Sequence, residues 1–557
     1  GSDNASDFNV ALGELAMGTG TVAGATYNTA VGYKALEDIT SGDNNIGVGA
    51  WAGVNLTIGH HNVSVGYGAL QAETVGNYSI AIGYRSLYSQ TSDSDNETTN
   101  NVAMGHESGY YNVTGTSNTY IGSEAGKGAS SQSNSNNTGI GSAALKAITT
   151  GGNNVAVGKG AGEAEVGGVA NVYIGSGAGA SIAGGEGLVI IGANAGASMG
   201  VVDASVYIGR EAGQYNKHTD TTQNVAIGKQ ALRGANASST APTNSVAVGY
   251  QALTAITTGA NNVAVGSSAG DALTTGANNV VLGYNAAGAM TDNTANVAVG
   301  VNALTAANAG ETGNTCLGHY AGSGIDDGSS HYNVIIGYTA GTGGEGSMLD
   351  CVAIGRNAMN STVDENQTGT VAIGTDALSA LTTGGSNTAI GYQSGLAMTT
   401  SGNNIALGYE ALKEAVDACN SNVAIGVQAM RTVDRGSHAD ATVNGNIAVG
   451  YNALAGGDFG SSDLDLVGNI AIGKNTLDAT GANAQTGTIA IGHEALTAAT
   501  TASSTTAIGY KAGALIVGGD YNTAVGFQSG SSVYASGSYS SSSGNTSLGY
   551  KSGMNLG

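Results

Sequence analysis

Gly266-Ser267-Ser268-Ala269-Gly270 has the G-x-S-x-G spacing of a nucleophile elbow, the strand-to-helix turn that exposes a serine hydroxyl to an acyl carbon. That chemistry also needs a histidine to take the proton and a carboxylate to orient it, and no matching pair accompanies the string. Lys159-Gly160-Ala161-Gly162 and Ser176-Gly177-Ala178-Gly179 occupy the same frame elsewhere, so the string reads as the by-product of a repeat. Glycine pairs such as Gly47-Val48-Gly49 read the same way, since no Walker A sequence and no strand–helix–strand unit surrounds them. Among the histidines, His106, His319 and His493 each follow a repeat glycine directly, where other copies carry Tyr, Lys, Ser or Arg, and so read as surface residues. His60 and His61 are adjacent, and adjacent side chains rarely share one metal. Asp93, Asp95 and Glu97 form the densest acidic run. Without the glycine and terminal glutamate of an EF-hand, it offers opportunistic Ca²⁺ binding at most. The sequence therefore assigns no catalytic, cofactor-binding or metal-binding residue.

The elements that would position such residues are set by a repeat. Asn28-Thr29-Ala30-Val31-Gly32 recurs as Asn154-Val155-Ala156-Val157-Gly158 and as Asn404-Ile405-Ala406-Leu407-Gly408, in 30 copies between Gly13 and Gly549. The first position is asparagine in 22 of them, and Ala, Ser or Thr always stands three residues after the glycine. Successive glycines are 17 residues apart over long runs, and intervals of up to 24 lengthen only the link between copies. A constant segment with elastic links is what stacked coils require. The period-two alternation of Val-Ala-Val is a strand signal. It predicts an all-β parallel solenoid of about 30 coils, with residues 1–8 as a leader or cap and 9–557 as one continuous repeat domain. At one inter-strand spacing per coil the stack would be roughly 140 Å long.

Within a coil, the β-branched pair is expected inside and the alanine outside, against another protomer. The glycine marks a corner that a side chain would block, by positive φ or by close approach of the next coil. The Ala-Leu or Ala-Gly step after it suits a second short strand closing the coil. Thr149-Thr150-Gly151-Gly152-Asn153 is turn chemistry, repeated near Thr257 and Thr274. Stacked asparagines would form an amide ladder. Tyr120, Tyr173, Ile190, Tyr207, Val281 and Ile335 stand at the alanine position. A tight contact through that face would have to open at them, or the facing is the reverse. Cys316 also takes the alanine position and reads as small-residue packing. With Cys351 and Cys419 it makes an odd, sparse set rather than a disulfide framework.

The pattern Asn-x-Ala-x-Gly-x-x-Ala over residues 9–553 resembles the head repeats of YadA-like trimeric autotransporter adhesins and related repeats of bacteriophage tail fibres. The resemblance implies a left-handed parallel β-roll, three chains side by side, and attachment outside the cell. It places Val155 and Val157 in the core, Ala156 near the neighbouring chain and Gly158 at the corner.

Composition narrows the partners. Glycine supplies 94 residues and proline one, without the G-X-Y period of collagen. A net charge of −23, with lysine and arginine scattered along the chain, excludes the basic stripe that nucleic acid demands. There is no apolar run of membrane-spanning length. Tyrosine follows the glycine in eleven copies, including Tyr67 and Tyr84, and Tyr392 and Tyr409, as a structural ladder or a sugar-binding surface. The longest links, Ser89–Thr99, Gly234–Asn244 with Pro242, Val433–Asn444, Asp458–Val467 and Val533–Ser543, are where a receptor contact would vary most freely. The expectation is a non-enzymatic, homotrimeric extracellular fibre that presents loops to a host-surface glycan or protein receptor. The alternatives are a polysaccharide-cleaving fibre enzyme, which needs paired carboxylates in a cleft, and an ice-binding solenoid, which needs a flat threonine array. Triplets such as Asn55-Leu56-Thr57 match the glycosylation acceptor but arise by chance in a chain this rich in Asn and Thr.

Overall fold

A computed structural model describes residues 8–553, apart from 19–21, 23, 96, 131, 201, 216–222, 235–241, 309, 327, 344–346, 362–366, 417–418, 434–441, 457–464, 481–484 and 532–542. The leader thus lies outside the described residues except for Phe8. The described chain is all-β, helix-free and a parallel β-solenoid with a repeat of about 18 residues. A three-residue strand stands immediately before each motif glycine. The chain divides into two compact units, Gly1–Gly276 and Ala277–Gly557.

In the first unit, strand Val155–Val157 pairs in parallel with Val172–Ile174, which pairs in the same register with Val189–Ile191. The second unit repeats the arrangement, as where Ile447–Val449 pairs with Ile470–Ile472. Within each unit the described strands keep one register, first residue opposite first residue, and the motif glycine holds that phase. Gly158 has φ 135°, and a Cβ there would lie 2.6 Å from the carbonyl carbon of Gly175 in the next coil. Positive φ and close approach act together at this corner.

The facing of the strand is the reverse of the sequence expectation. Ala156 is fully buried, whereas Val155 is 36% exposed and Val157 partly so. The alanine methyl points into the coil and the β-branched pair points out. The cause is the thinness of the coil. Its interior is already filled by Leu145 and Ile148 in one coil and by Leu36 and Ile39 in another, all fully buried. Between those side chains and the strand there is room for a methyl group.

The bulky residues at the alanine position obey the same geometry. Tyr120, Tyr173, Ile190, Tyr207 and Ile335 are fully buried and Val281 nearly so. Each has a small residue six positions on, Gly126, Gly179, Gly196, Gly213, Gly341 and Ala287, where many other copies, such as those with Leu36 and Leu145, carry leucine. A Cβ on Gly179 would lie 2.5 Å from the Tyr173 ring. A large residue is never paired with a large one, and where both are small, as at Ala156 and Gly162, side chains of the adjacent coils, Tyr173 and Leu145, reach the space. Cys316, buried with Gly322 six residues on, follows the rule, and burial pushes its thiol pKa up to about 12. All three cysteines are buried and free.

The step after the glycine is not a second strand. It is a turn in which the second and fourth residues are left-handed, as at Lys34 (φ 58°) and Leu36 (φ 49°). Its backbone donates to the next coil, with Leu36 N–H to Ala52 O at 3.0 Å and Asp38 N–H to Val54 O at 3.0 Å. Coil-to-coil bonding satisfies the polar backbone, so left-handed leucines persist despite their cost of about 1–3 kcal/mol each.

Extra pairing does occur at the links of the second unit. Cys419–Asn420, Val443–Asn444, Leu466–Val467 and Gln485–Thr486 form a small parallel ladder, and Met348–Leu349 pairs with Gln367–Thr368. The asparagine ladder forms as expected. Asn154 donates from its N–H and its Nδ2 to Asn137 Oδ1 (3.0 and 3.1 Å) and from Nδ2 to Gly168 O (2.8 Å). Its own Oδ1 accepts the Asn171 N–H at 2.9 Å. Each amide closes one coil and clasps the next.

Candidate functional site

Every coil has two edges, the turn after the glycine and the link before the asparagine, and they carry different chemistry. Fourteen of the 16 lysines and arginines fall within five residues after a motif glycine, the exceptions being Lys217 and Arg435 in links. Eleven of the 39 acids share that turn, and the remaining 28 lie outside it. The basic residues, scattered along the sequence, are thereby gathered on one edge of the coil. Only the repeat phase reveals this, and counting charges by position relative to the glycine would have found it from sequence.

On the post-glycine edge, the charges form ladders across coils. Lys127 Nζ binds Glu107 at 2.7 Å and Glu124 at 2.9 Å, and Lys146 binds Glu124 at 2.7 Å. Bonding to the two lysines holds the Glu124 carboxyl down at about 2. Glu410 is likewise held between Lys413 (2.8 Å) and Arg431 (3.1 Å), which lowers its pKa.

The first position after the glycine forms a column of rings. Tyr67, Tyr84 and His106 stack at centroid distances of 5.6 and 5.3 Å. His493, Tyr510, Phe527 and Tyr550 stack at 5.4, 5.1 and 5.3 Å, and Tyr392 with Tyr409 at 5.3 Å. His319 stacks on Tyr338 at 5.4 Å. The histidines are therefore rungs in a ring column. Stacked rings turn their faces to each other and their edges to solvent, so the column presents hydroxyls and ring edges.

The link edge holds buried carboxylates. Glu73 Oε1 accepts backbone N–H groups from Thr74 (2.9 Å), Val75 (3.1 Å), Gly76 (2.8 Å) and Ser92 (3.2 Å), and Oε2 accepts from Gln90 at 2.9 Å. Glu165 accepts from Gly168 N–H (2.6 Å) and from the Tyr173 hydroxyl (2.6 Å), yet desolvation raises its pKa. Both stand where other coils place Ile39 or Ile148, and both stitch the turn back together from inside.

The remaining sequence candidates are dispersed. Ser268 is the left-handed residue (φ 55°) of an ordinary post-glycine turn. No helix follows it among the described residues. His60 Nδ1 accepts the Asp43 N–H at 2.9 Å, and His61 stacks on Tyr78 at 5.0 Å. Asp93 and Asp95 are exposed and Glu97 is half-buried, its Oε2 accepting the Asp93 N–H at 2.9 Å. Among the described residues, no three His, Cys, Asp or Glu side chains stand together as metal ligands. Thr149 and Thr257 donate their hydroxyls to Val166 O (3.0 Å) and Thr274 O (2.9 Å) of the next coil. In the triplet Asn55-Leu56-Thr57 the leucine is fully buried. Of the long links, Ser89–Thr99 is described apart from residue 96. The central parts of the other four lie outside the described residues.

The third surface is the outward strand face. Ile46, Ile140, Val155, Ile174, Ile227 and Val265 in the first unit are 36–40% exposed. Ile390, Ile405, Ile425, Ile447, Ile472 and Ile508 in the second fall in the same range. No protein-family model matches this sequence, and none of the curated proteins matches it significantly. No described helix is long and apolar enough to cross a membrane.

Proposed function

We propose that this chain is a structural and adhesive fibre element outside the cell, and that copies of it associate through the outward strand face. The observation that carries this reading is the aliphatic strip, with half-exposed Val, Ile and Leu on coil after coil within each unit. Soluble monomers rarely leave a contiguous apolar surface of that kind open. A parallel sheet, moreover, is ordinarily covered on both faces. Three copies side by side, each wound as a left-handed roll, is the arrangement that the adhesin-head resemblance implies, and a contact through Val and Ile supports it better than one through alanine. On this reading the strand face serves assembly, while the two edges remain available for a host-surface glycan or protein. On the same reading the chain carries out no catalysis of its own.

The test is to charge the strip. Val155→Lys with Ile174→Lys adds two ammonium groups at outward positions without touching the coil interior. Sedimentation velocity should show the assembled species falling to a single chain while the β-sheet circular dichroism persists. An unchanged sedimentation coefficient would remove this face as the assembly surface.

A further inference from the structure

Along the post-glycine edge, nine of the 14 cations meet a carboxylate within 4.0 Å among the described residues, while Arg85, Lys159, Lys229, Lys474 and Lys551 do not. Lys34 meets Glu37 at 3.0 Å, Lys511 meets Glu494 at 3.0 Å, and the Glu124 and Glu410 clusters are shared as described. The coils beginning at Gly209, Gly228 and Gly249 gather the densest surplus. They carry Arg210, Lys229 and Arg233 against the single carboxylate of Glu211 on that edge. Glu211 is already saturated. Arg210 Nη2 lies at 3.0 Å, Arg233 Nε at 3.9 Å, and Gln230 Nε2 donates to it at 2.8 Å, which together hold its pKa low. Lys229 has no carboxylate partner among the described residues, and its ammonium lies 5.4 Å from the Tyr250 ring centroid. The Arg210 side chain is 64% exposed.

The patch is built in register. Gln230 N–H bonds Arg210 O at 2.9 Å and Gln251 N–H bonds Lys229 O at 3.0 Å, so Arg210, Lys229 and Tyr250 form one column, spaced about 4.8 Å per coil. Beside it runs an amide ladder, with Gln251 Nε2 donating to Gln230 Oε1 at 3.0 Å. Arg233 lies over the Tyr215 ring at 5.2 Å. Two surplus positive charges, two tyrosines and a row of side-chain amides thus face solvent on a chain of net charge −23.

We propose that this patch binds an anionic linear glycan, its carboxylate or sulfate groups on Lys229, Arg210 and Arg233 and its hydroxyls on the glutamine ladder. The repeat of cations along the coil axis favours an extended polymer over a small anion. Three cations on an otherwise acidic chain are too few for nucleic acid, whose binding rests on neutralising many phosphates. The proposal names a ligand for the attachment reading and rests on it only for its biological setting.

The experiment is calorimetric titration of the full chain at low and physiological salt. The probes are a sulfated glycosaminoglycan hexasaccharide, a polygalacturonate hexasaccharide, a neutral glucan hexasaccharide and oligothymidylate. One of the two anionic sugars should bind, and the other then shows whether sulfate or carboxylate is the group read. Lys229→Gln with Arg233→Gln should weaken binding at least tenfold, while Arg431→Gln on the matched cluster should leave it unchanged. Circular dichroism on each variant checks the fold. Binding of neither anionic sugar, full binding by the double variant, or oligothymidylate binding as tightly as the sugar would each overturn the site. Measuring mass on the same sample separates the two ideas, since a single chain that binds sugar loses only the assembly reading.

Discussion

The two edges of the coil differ in how they tolerate change. The post-glycine turn is constant in form, bonded coil to coil at each residue pair, and nearly neutral, with ladders such as Glu107–Lys127–Glu124–Lys146. The link varies in length, carries most of the acid, and is tied down from within by Asn154, Glu73 or Glu165. The difference teaches that the glycine corner and the asparagine clasp divide the labour. The corner sets the pitch, and the clasp lets a link of any length return to the same point.

The largest effect is expected where the constant edge meets the core. Tyr173→Ala should cost about 3–5 kcal/mol through the cavity it leaves. Gly179→Leu alone should be comparably damaging because its side chain enters the Tyr173 ring. Combined, the two recreate the Ala-with-Leu pairing of other coils, where leucine already sits left-handed, as at Leu36. The double variant should recover most of the loss in a denaturant titration, and additive losses would refute the volume rule.

Next comes the clasp. Asn154→Ala removes a buried donor pair and leaves the Asn171 N–H without its acceptor, at about 2–3 kcal/mol. A melting temperature unchanged from the parent would show that the link closes without it.

Smaller effects separate the edges by pH, with opposite signs. The Glu124 carboxyl is lowered from its ordinary 4.5 to about 2, so its contribution is present above pH 4.5 and is lost as pH falls toward 2. Glu124→Gln should cost below about 1 kcal/mol at neutral pH and distinctly less at pH 2, where half the native carboxyls are protonated. Glu165 is raised, so the fold favours its protonated form, and that advantage disappears as pH rises through the raised value. Glu165→Gln should therefore raise the melting temperature at pH 7 and leave it unchanged at pH 3. The same sign for both variants would mean the edges are electrostatically alike.

Much of this fold was legible in the sequence. The phase of the glycine located the strand of each coil, though not the two-residue link strands such as Cys419–Asn420, and the asparagines announced a ladder because identical amides at a fixed offset must stack. The tyrosine column followed from the same argument. Facing was not legible from period-two alternation, which says that Val155 and Ala156 point opposite ways but not which way is in. The pairing of Tyr173 with Gly179, against that of Ala30 with Leu36, held the answer, since volumes compensate only between residues that share an interior. The left-handed turn was hidden because leucine and lysine occupy conformations ordinarily given to glycine or asparagine. The basic patch was hidden because cations far apart in sequence become neighbours only once the coils are stacked.

The account stands or falls on the outward Val and Ile face, and the most direct measurement is the absolute mass of the unmodified chain by light scattering during size exclusion. A mass of three times 54.2 kDa, independent of dilution, is the predicted result. A stable single chain of 54.2 kDa would show that the aliphatic strip is left open to solvent, and would contradict it.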